Sequence, residues 1–188
     1  INIVKQLYRH VYGFKVGYRA FYNNRSEGLI SEIKKSECKL FLDLKLHDIP
    51  NTVKSAIDSL SNINPDFLTL HISGGNEMMK AAISSIKKNK LKTKILGVTL
   101  LTSLDGKDSE KIFKERNTSK LVKKFAEIAN NVNIHGLICS GDDLKVLRKY
   151  NKLIKITPGV KMFARNDDQK RVTFAHNALQ DGASFVVI

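Results

Sequence analysis

Short apolar runs alternate with amphipathic stretches along the chain. Between the apolar runs, apolar residues recur at helical spacing in residues 51–60, 76–87, 119–130, 142–150 and 173–181. The pattern predicts repeated strand–helix units, and therefore a parallel sheet with right-handed crossovers. Seven apolar runs have the length and character of strands that are buried on both faces of such a sheet: residues 13–17, 39–43, 66–71, 93–98, 136–140, 153–156 and 184–188.

A helical pattern over residues 3–10 precedes the first of these strands. In a chain of repeated strand–helix units, this order implies one more strand upstream and eight in all. Eight such units form a TIM (β/α)8 barrel. We therefore expect an α/β fold in which residues 1–188 form a single barrel domain without its first strand and last helix. A complete open sheet of seven strands is the alternative.

The composition is strongly basic, since 32 lysines and arginines against 18 aspartates and glutamates give a net charge of +14. This charge is compatible with a nucleic-acid partner or with a small phosphate ester. The lysines are spread over most of the predicted helices, and Asn and Ile are also abundant. This pattern favours the compositional bias of an AT-rich genome over a nucleic-acid-binding surface. No apolar run approaches the roughly 18 residues of a membrane span, so we expect no membrane partner. Cys38 and Cys139 lack metal-ligand spacing and are typical of a reducing cytosol.

The candidate chemistry lies in residues 41–53. Because side chains alternate along a strand, Asp43 and Lys45 face one side while their leucine neighbours face the helices. Both residues lie near the carboxyl end of the strand, where barrel active sites are built, and Asp48 follows in the loop. The same alternation turns Lys15 inward on the preceding strand. We expect these two lysines and two aspartates to converge on one cavity, as an active site or, alternatively, as a purely structural ion-pair network.

The start of the next helix also carries a local prediction. Pro50 restricts the backbone at the end of the loop, and Asn51 or Thr52 is expected to cap the helix that follows.

Six motifs, in order along nearly the whole chain, resemble the orotidine 5′-phosphate decarboxylase family. The most specific is Asp43-x-Lys45-x-x-Asp48, which continues directly into Ile-Pro-Asn-Thr. The other five are Lys-Val-Gly at 15–17, His-Ile-Ser-Gly-Gly at 71–75, Gly-Val-Thr-Leu-Leu-Thr-Ser at 97–103, Thr-Pro-Gly-Val at 157–160 and Asp-Gln-Lys-Arg at 168–171.

The resemblance implies decarboxylation of orotidine 5′-monophosphate (OMP) to UMP in the cytoplasm, as the last step of de novo pyrimidine nucleotide synthesis, without a metal or organic cofactor. It implies that Lys45 stabilises the developing C6 carbanion and delivers the proton. It places Asp43 beside the departing carboxylate, and makes Lys15 and Asp48 the other members of the charge network.

The resemblance also implies a homodimer with shared active sites, because the family residues that match Asp48 and Thr52 reach the neighbouring subunit. It assigns Thr102 to the pyrimidine or ribose, and Gln169 with Lys161 or Arg165 to the phosphate, under a loop at 161–169 that closes over it. The full set of implied substrate-binding residues is Ile49, Thr52, Thr102, Pro158, Lys161, Arg165 and Gln169.

Some positions depart from the family pattern. Lys161 stands where an arginine is usual, and a lysine lacks the bidentate fork of that residue; Arg165 is the alternative. The family's ribose-binding Asp and its phosphate-binding Gly-Arg pair have no counterpart in residues 1–188.

Two other functions are alternatives to OMP decarboxylation. Metal-dependent sugar-phosphate decarboxylases and hexulose-phosphate synthases share Asp-x-Lys-x-x-Asp, but they carry Glu in place of Lys15 and lack Ile-Pro-Asn-Thr. A non-catalytic basic barrel that binds nucleic acid would instead cluster its basic and aromatic residues on one face.

Overall fold

The computed structural model describes residues 1–162 and 174–188. Within this part of the chain, every strand pair that is described runs parallel. The strands are β1 (Gly13–Gly17), β2 (Lys39–Leu46), β3 (Phe67–His71), β4 (Lys94–Val98), β5 (Gly136–Ile138), β6 (Ile154–Thr157) and β7 (Phe185–Val186). Each of them lies on one of the predicted runs, with small differences at the ends.

The helices in the described ranges precede β1 or lie between the strands. They are α1 (Asn2–Leu7), α2 (Tyr18–Phe21), α3 (Ser26–Lys35), α4 (Pro50–Ser59), α5 (Gly75–Lys88), α6 (Gly106–Phe113), α7 (Thr118–Val132) and α8 (Ala175–Gln180). A helix thus follows most of the strands as predicted, but none is described between β5 and β6. The sequence pattern did not predict α2, α3 or α6.

The chain divides into two compact units, of which the first comprises residues 1–70 and 77–95. Its strands lie in the order β1-β2-β3. The register between β1 and β2 is regular, with Gly13 opposite Lys39 and Gly17 opposite Asp43. Its core is mainly apolar and includes the buried side chains of Ile33, Leu40, Leu42, Ile57, Leu68, Met79 and Ala82.

The second unit comprises residues 71–76 and 96–188, and its strands lie in the order β4-β5-β6-β7. Gly97 of β4 lies where no larger side chain fits, since a Cβ there would be 2.6 Å from atoms of both Ile72 and Ile134. The core of this unit includes the buried side chains of Leu96, Val122, Phe125, Ala126, Leu137, Leu144, Leu147 and Ile156. The prediction that residues 1–188 form a single domain stays a prediction.

One predicted helix, residues 142–150, is wrong, because the structure has consecutive turns there. Most of its hydrogen bonds reach back three residues, as from Leu144 N–H to the Gly141 carbonyl. The Asp143 carboxylate accepts both the backbone N–H and the hydroxyl of Ser140, which tightens the first turn. Bonds of this span favour 3₁₀-like turns over an α-helix.

The predicted cap of α4 is also wrong. The N-cap residue is Ile49, which makes no side-chain capping bond, and Pro50 occupies the first helical position. A proline is well suited to that position because its fixed φ matches the helix and its missing N–H would have no partner inside the helix. Asn51 and Thr52 therefore lie within the first turn.

Candidate active site

Three charged side chains meet where β1 and β2 end. Lys15 Nζ lies 3.2 Å from Asp43 Oδ2, and Lys45 Nζ lies 2.8 Å from Asp43 Oδ1. The Asp43 side chain is 13% exposed, whereas those of Lys15 and Lys45 are 33% and 27% exposed. A mostly buried carboxylate is thus shared by two lysines that keep partial access to solvent. We call Lys15, Asp43 and Lys45 the charge cluster.

The lysines set the ionisation of the carboxylate. Burial raises the pKa of the Asp43 carboxyl, but the hydrogen bond and charge of Lys45, together with the charge of Lys15, outweigh burial and lower it below its usual value. The carboxylate therefore stays ionised at neutral pH. One ionised carboxylate and two ammonium groups give the charge cluster a net charge of +1, which favours an anionic ligand.

The strand that carries Asp43 and Lys45 is irregular at these residues. Leu42 pairs with Leu68 and Leu46 with Leu70, so four residue steps on β2 face two on β3. Lys45 has a φ of +43°. That is the left-handed region, which non-glycine residues seldom occupy and which is common at functional sites. We call residues 43–45 the β2 bulge.

Two hydroxyl groups that the sequence analysis missed contact the β2 bulge. Thr69 of β3 accepts the Lys45 backbone N–H at 2.8 Å and donates to Asp43 Oδ1 at 3.1 Å. The Tyr18 hydroxyl donates to the Leu44 carbonyl at 2.7 Å. The available signal was Thr69 itself, a polar residue in the otherwise apolar run 67–70.

The fourth predicted member of the network, Asp48, lies apart from the charge cluster. It is exposed in the loop after β2, and its carboxylate accepts the N–H of its neighbour Ile49 at 2.7 Å. Within the described part of the chain it forms no ion pair. Ile49 and Thr52, also predicted to bind substrate, are exposed beside it. Asp48 therefore lies outside the charge cluster of its own chain, and the convergence of all four charged residues on one cavity stays a prediction.

The remaining predicted site residues belong to the second unit or fall outside the described ranges. Thr102 is exposed in the turn after β4, and the half-buried Pro158 directly follows β6. The Lys161 backbone forms an isolated bridge with Phe174, and its carbonyl accepts the Ala175 N–H at 3.0 Å. Arg165 and Gln169 lie outside the described residues.

The cysteines are both free. Burial, followed by the charge of Asp143, raises the pKa of the Cys139 thiol to about 12. Cys38 is half-buried, and its thiol donates to the Tyr8 carbonyl at 3.3 Å. In residues 1–162 and 174–188, no group of three His, Cys, Asp or Glu side chains is placed to hold a metal ion.

Parallel strands joined by helices, with charged side chains gathered at the carboxyl ends of β1 and β2, are the arrangement of (β/α)8-barrel enzymes. Over the described residues, every helix is too short or too polar to cross a lipid bilayer. The fold and the position of the charge cluster thus define the class as an α/β barrel protein.

The comparisons identify the family within that class. The model of the "Orotidine 5'-phosphate decarboxylase / HUMPS family" matches residues 1–188, and the chain belongs to this family. The chain is 37% identical over 190 residues to the orotidine 5′-phosphate decarboxylase of Wolbachia sp. subsp. Brugia malayi, covering 100% of this chain and 83% of that protein. It is 38% identical over 188 residues to the orotidine 5′-phosphate decarboxylase of Erythrobacter litoralis, covering 99% and 82%.

Two solved structures are similar to the chain. Orotidine 5′-phosphate decarboxylase from Lactobacillus acidophilus has a TM-score of 0.77 and 29% identity, over 92% of this chain and 75% of that one. An uncharacterized conserved protein from Geobacillus kaustophilus has a TM-score of 0.83 and 24% identity, over 100% and 83%, and shows the fold alone. The predicted α/β fold of TIM-barrel type is confirmed.

Proposed function

We propose that the protein decarboxylates OMP to UMP, the last step of de novo pyrimidine nucleotide synthesis. The observation that carries the proposal is the charge cluster, in which one carboxylate holds two ammonium groups at the end of adjacent parallel strands. Membership of the family and the names of its relatives support the same reaction.

The chemical problem is the electron pair that remains on C6 of the pyrimidine when its bond to the carboxylate breaks. The π-system of the ring does not delocalise this pair, so its stabilisation has to be electrostatic. A preorganised cation in a partly desolvated site supplies such stabilisation without reorganisation. Lys45 is the residue that fits this role, because its ammonium is fixed by Asp43 at 2.8 Å and its side chain remains 27% exposed.

The proton balance also depends on Lys45. The bond between C6 and the carboxylate breaks, CO₂ leaves, and a proton from the Lys45 ammonium forms the new C6–H bond. The neutral amine then regains a proton from solvent. Asp43 orients Lys45 and lies beside the departing carboxylate, while Lys15 holds the other oxygen of Asp43 at 3.2 Å. In this scheme the protein's own side chains supply both the charge and the proton.

We also propose a homodimer with shared active sites. Asp48 and Thr52 are exposed and stand apart from the charge cluster of their own chain, which supports their acting on the site of a second copy. Together with Ile49 they would complete the pyrimidine and ribose contacts there. Thr102 and Pro158, each just after the carboxyl end of a strand, would contribute further substrate contacts, and Lys161, Arg165 and Gln169 would hold the phosphate.

The free cysteines suit the reducing cytoplasm, where we place the enzyme.

The experiment is a spectrophotometric assay of the purified full-length enzyme with OMP in the presence of EDTA. We expect turnover that added Mg²⁺ does not change. No turnover, or turnover only after Mg²⁺ is added, would overturn the proposal. A parallel assay with a hexulose phosphate tests the metal-dependent branch of the family, for which we expect no product.

A further inference from the structure

The β2 bulge interrupts the pairing of the catalytic segment with β3. In a bulge the extra residues drop out of the ladder of hydrogen bonds. Here the register between β2 and β3 skips residues 43–45, and the peptide bond formed by the Leu44 carbonyl and the Lys45 N–H lies in this gap. Buried backbone groups need a partner, and side chains supply one for the N–H and one for the carbonyl of this peptide bond.

Thr69 supplies the first partner, and its hydroxyl joins the backbone of the bulge to the carboxylate. The backbone N–H of Lys45 is always a donor, so at 2.8 Å the Thr69 oxygen accepts. That leaves the single hydroxyl proton of Thr69 for Asp43 Oδ1 at 3.1 Å. The same carboxylate oxygen also accepts from Lys45 Nζ at 2.8 Å. Thr69 is fully buried, so water does not compete for these bonds.

Tyr18 supplies the second partner from the other side of β2. Its hydroxyl donates to the Leu44 carbonyl at 2.7 Å, from the first residue of α2. Burial, and then the neighbouring Tyr22 and Asp43, raise the pKa of the Tyr18 hydroxyl, so it remains a donor across the physiological range. The ring stacks on Tyr22 with centroids 5.9 Å apart, which restricts its rotation.

We propose that Thr69 and Tyr18 are positioning residues, whose hydroxyls lock the β2 bulge so that the Asp43 carboxylate and the Lys45 ammonium stay aligned for catalysis. The left-handed backbone of Lys45 is held because both ends of its preceding peptide bond are tied to other elements. This inference rests on the proposed function, because it assigns both residues to the geometry of the same site.

The test compares hydroxyl deletions with a hydroxyl-preserving variant of the full-length enzyme. Thr69→Val removes the hydroxyl and keeps the shape, whereas Thr69→Ser keeps the hydroxyl. Because small misplacements of catalytic groups lower rates steeply, we expect Thr69→Val to reduce kcat on the order of 10- to 100-fold with KM changed less than about threefold. Thr69→Ser should recover most of the loss. Tyr18→Phe should lower kcat by about three- to tenfold, since it frees one backbone carbonyl only.

The matched control is Thr93→Val, which removes another buried threonine hydroxyl of the same unit, one that donates to Asn64 at 3.4 Å. It should leave kcat and KM unchanged. The proposal is overturned if Thr69→Val and Tyr18→Phe both keep wild-type kcat, or if Thr69→Ser is as slow as Thr69→Val. The Tyr18 variant keeps the test decisive if Thr69→Val does not fold.

A crystal structure of Thr69→Val separates this proposal from the proposed function. Loss of the contact between Lys45 Nζ and Asp43 Oδ1 would support the lock even if the wild-type enzyme does not act on OMP. An unchanged contact would overturn the lock even if the wild-type enzyme is fully active on OMP.

Discussion

Replacing Asp43 with asparagine removes the negative charge that two lysines share. The carboxylate is 13% exposed and receives ammonium groups at 2.8 and 3.2 Å, so its loss leaves two positive charges facing an uncharged amide. A hydrogen bond to a charged group contributes about 1.5–3 kcal/mol when buried, whereas an exposed ion pair contributes about 0–1 kcal/mol. The two lysine side chains are 33% and 27% exposed. We therefore assign each ion pair a contribution of about 1 kcal/mol to the free energy of unfolding, and about 2 kcal/mol to the two together.

The expected shift in melting temperature follows from the size of the chain. A domain of 150–250 residues loses about 2–4 °C in Tm for each kcal/mol, so Asp43→Asn should melt about 4–8 °C below the wild type at neutral pH. Differential scanning calorimetry of the two proteins gives this number directly. The control is Asp142→Asn, since Asp142 is exposed and forms no ion pair within the described ranges. Its Tm should stay within about 1 °C of the wild type.

The dependence of this difference on pH has a definite sign. The pKa of Asp43 is lowered in the folded protein, so the ionised carboxylate stabilises the fold above the usual aspartate pKa of 3.8. That stabilisation is lost as the pH falls through the lower, folded-state pKa. Urea midpoints of wild type and Asp43→Asn should therefore differ fully at pH 6–7 and converge between about pH 4 and pH 2. The reasoning is refuted if the urea midpoints of the two proteins coincide at pH 7. It is also refuted if their difference stays constant or widens as the pH falls.

Two further predictions concern the second unit and the cysteines. Gly97→Ala places a methyl group 2.6 Å from two isoleucine side chains, so urea denaturation should show a loss of about 1–2 kcal/mol; unchanged stability would contradict this packing. Iodoacetamide should label Cys38 of the native enzyme, detected by mass spectrometry, and reach Cys139 only after denaturation, because that thiol is buried and its pKa is raised to about 12. Rapid labelling of native Cys139 would show that the thiol is accessible.

The alternation of side chains was enough to predict that Asp43 and Lys45 share one side of their strand, and that Lys15 of the preceding strand meets them. The same rule assumes a regular strand, and for that reason it missed the β2 bulge and the positive φ of Lys45. A bulge depends on how two strands pair, and strand pairing is not visible in a local pattern.

The missed elements have separate physical reasons. In the sequence, Thr69 is an ordinary β-forming residue within an apolar run. Only its position opposite the β2 bulge lets its hydroxyl accept the Lys45 N–H. The spacing of the buried Ile30 and Ile33 is typical of a helix and was a sufficient signal to predict α3. The predicted helix at 142–150 failed because Asp143 bonds back to Ser140, a local side-chain contact that competes with the helical backbone pattern.

The central claim is that Lys45 supplies the charge and the proton for decarboxylation, and kcat of Lys45→Ala with OMP tests it most directly. Lys39→Ala is a matched control, because Lys39 lies on the same strand and pairs with Asp66 at the same 2.8 Å. Loss of a general acid and of a preorganised charge should lower kcat of Lys45→Ala by about 10⁴-fold or more. Lys39→Ala should keep kcat within about twofold, as expected for a residue remote from the chemistry. A Lys45→Ala enzyme within about tenfold of wild-type kcat, where general acids ordinarily contribute at least 10²-fold, would contradict the account.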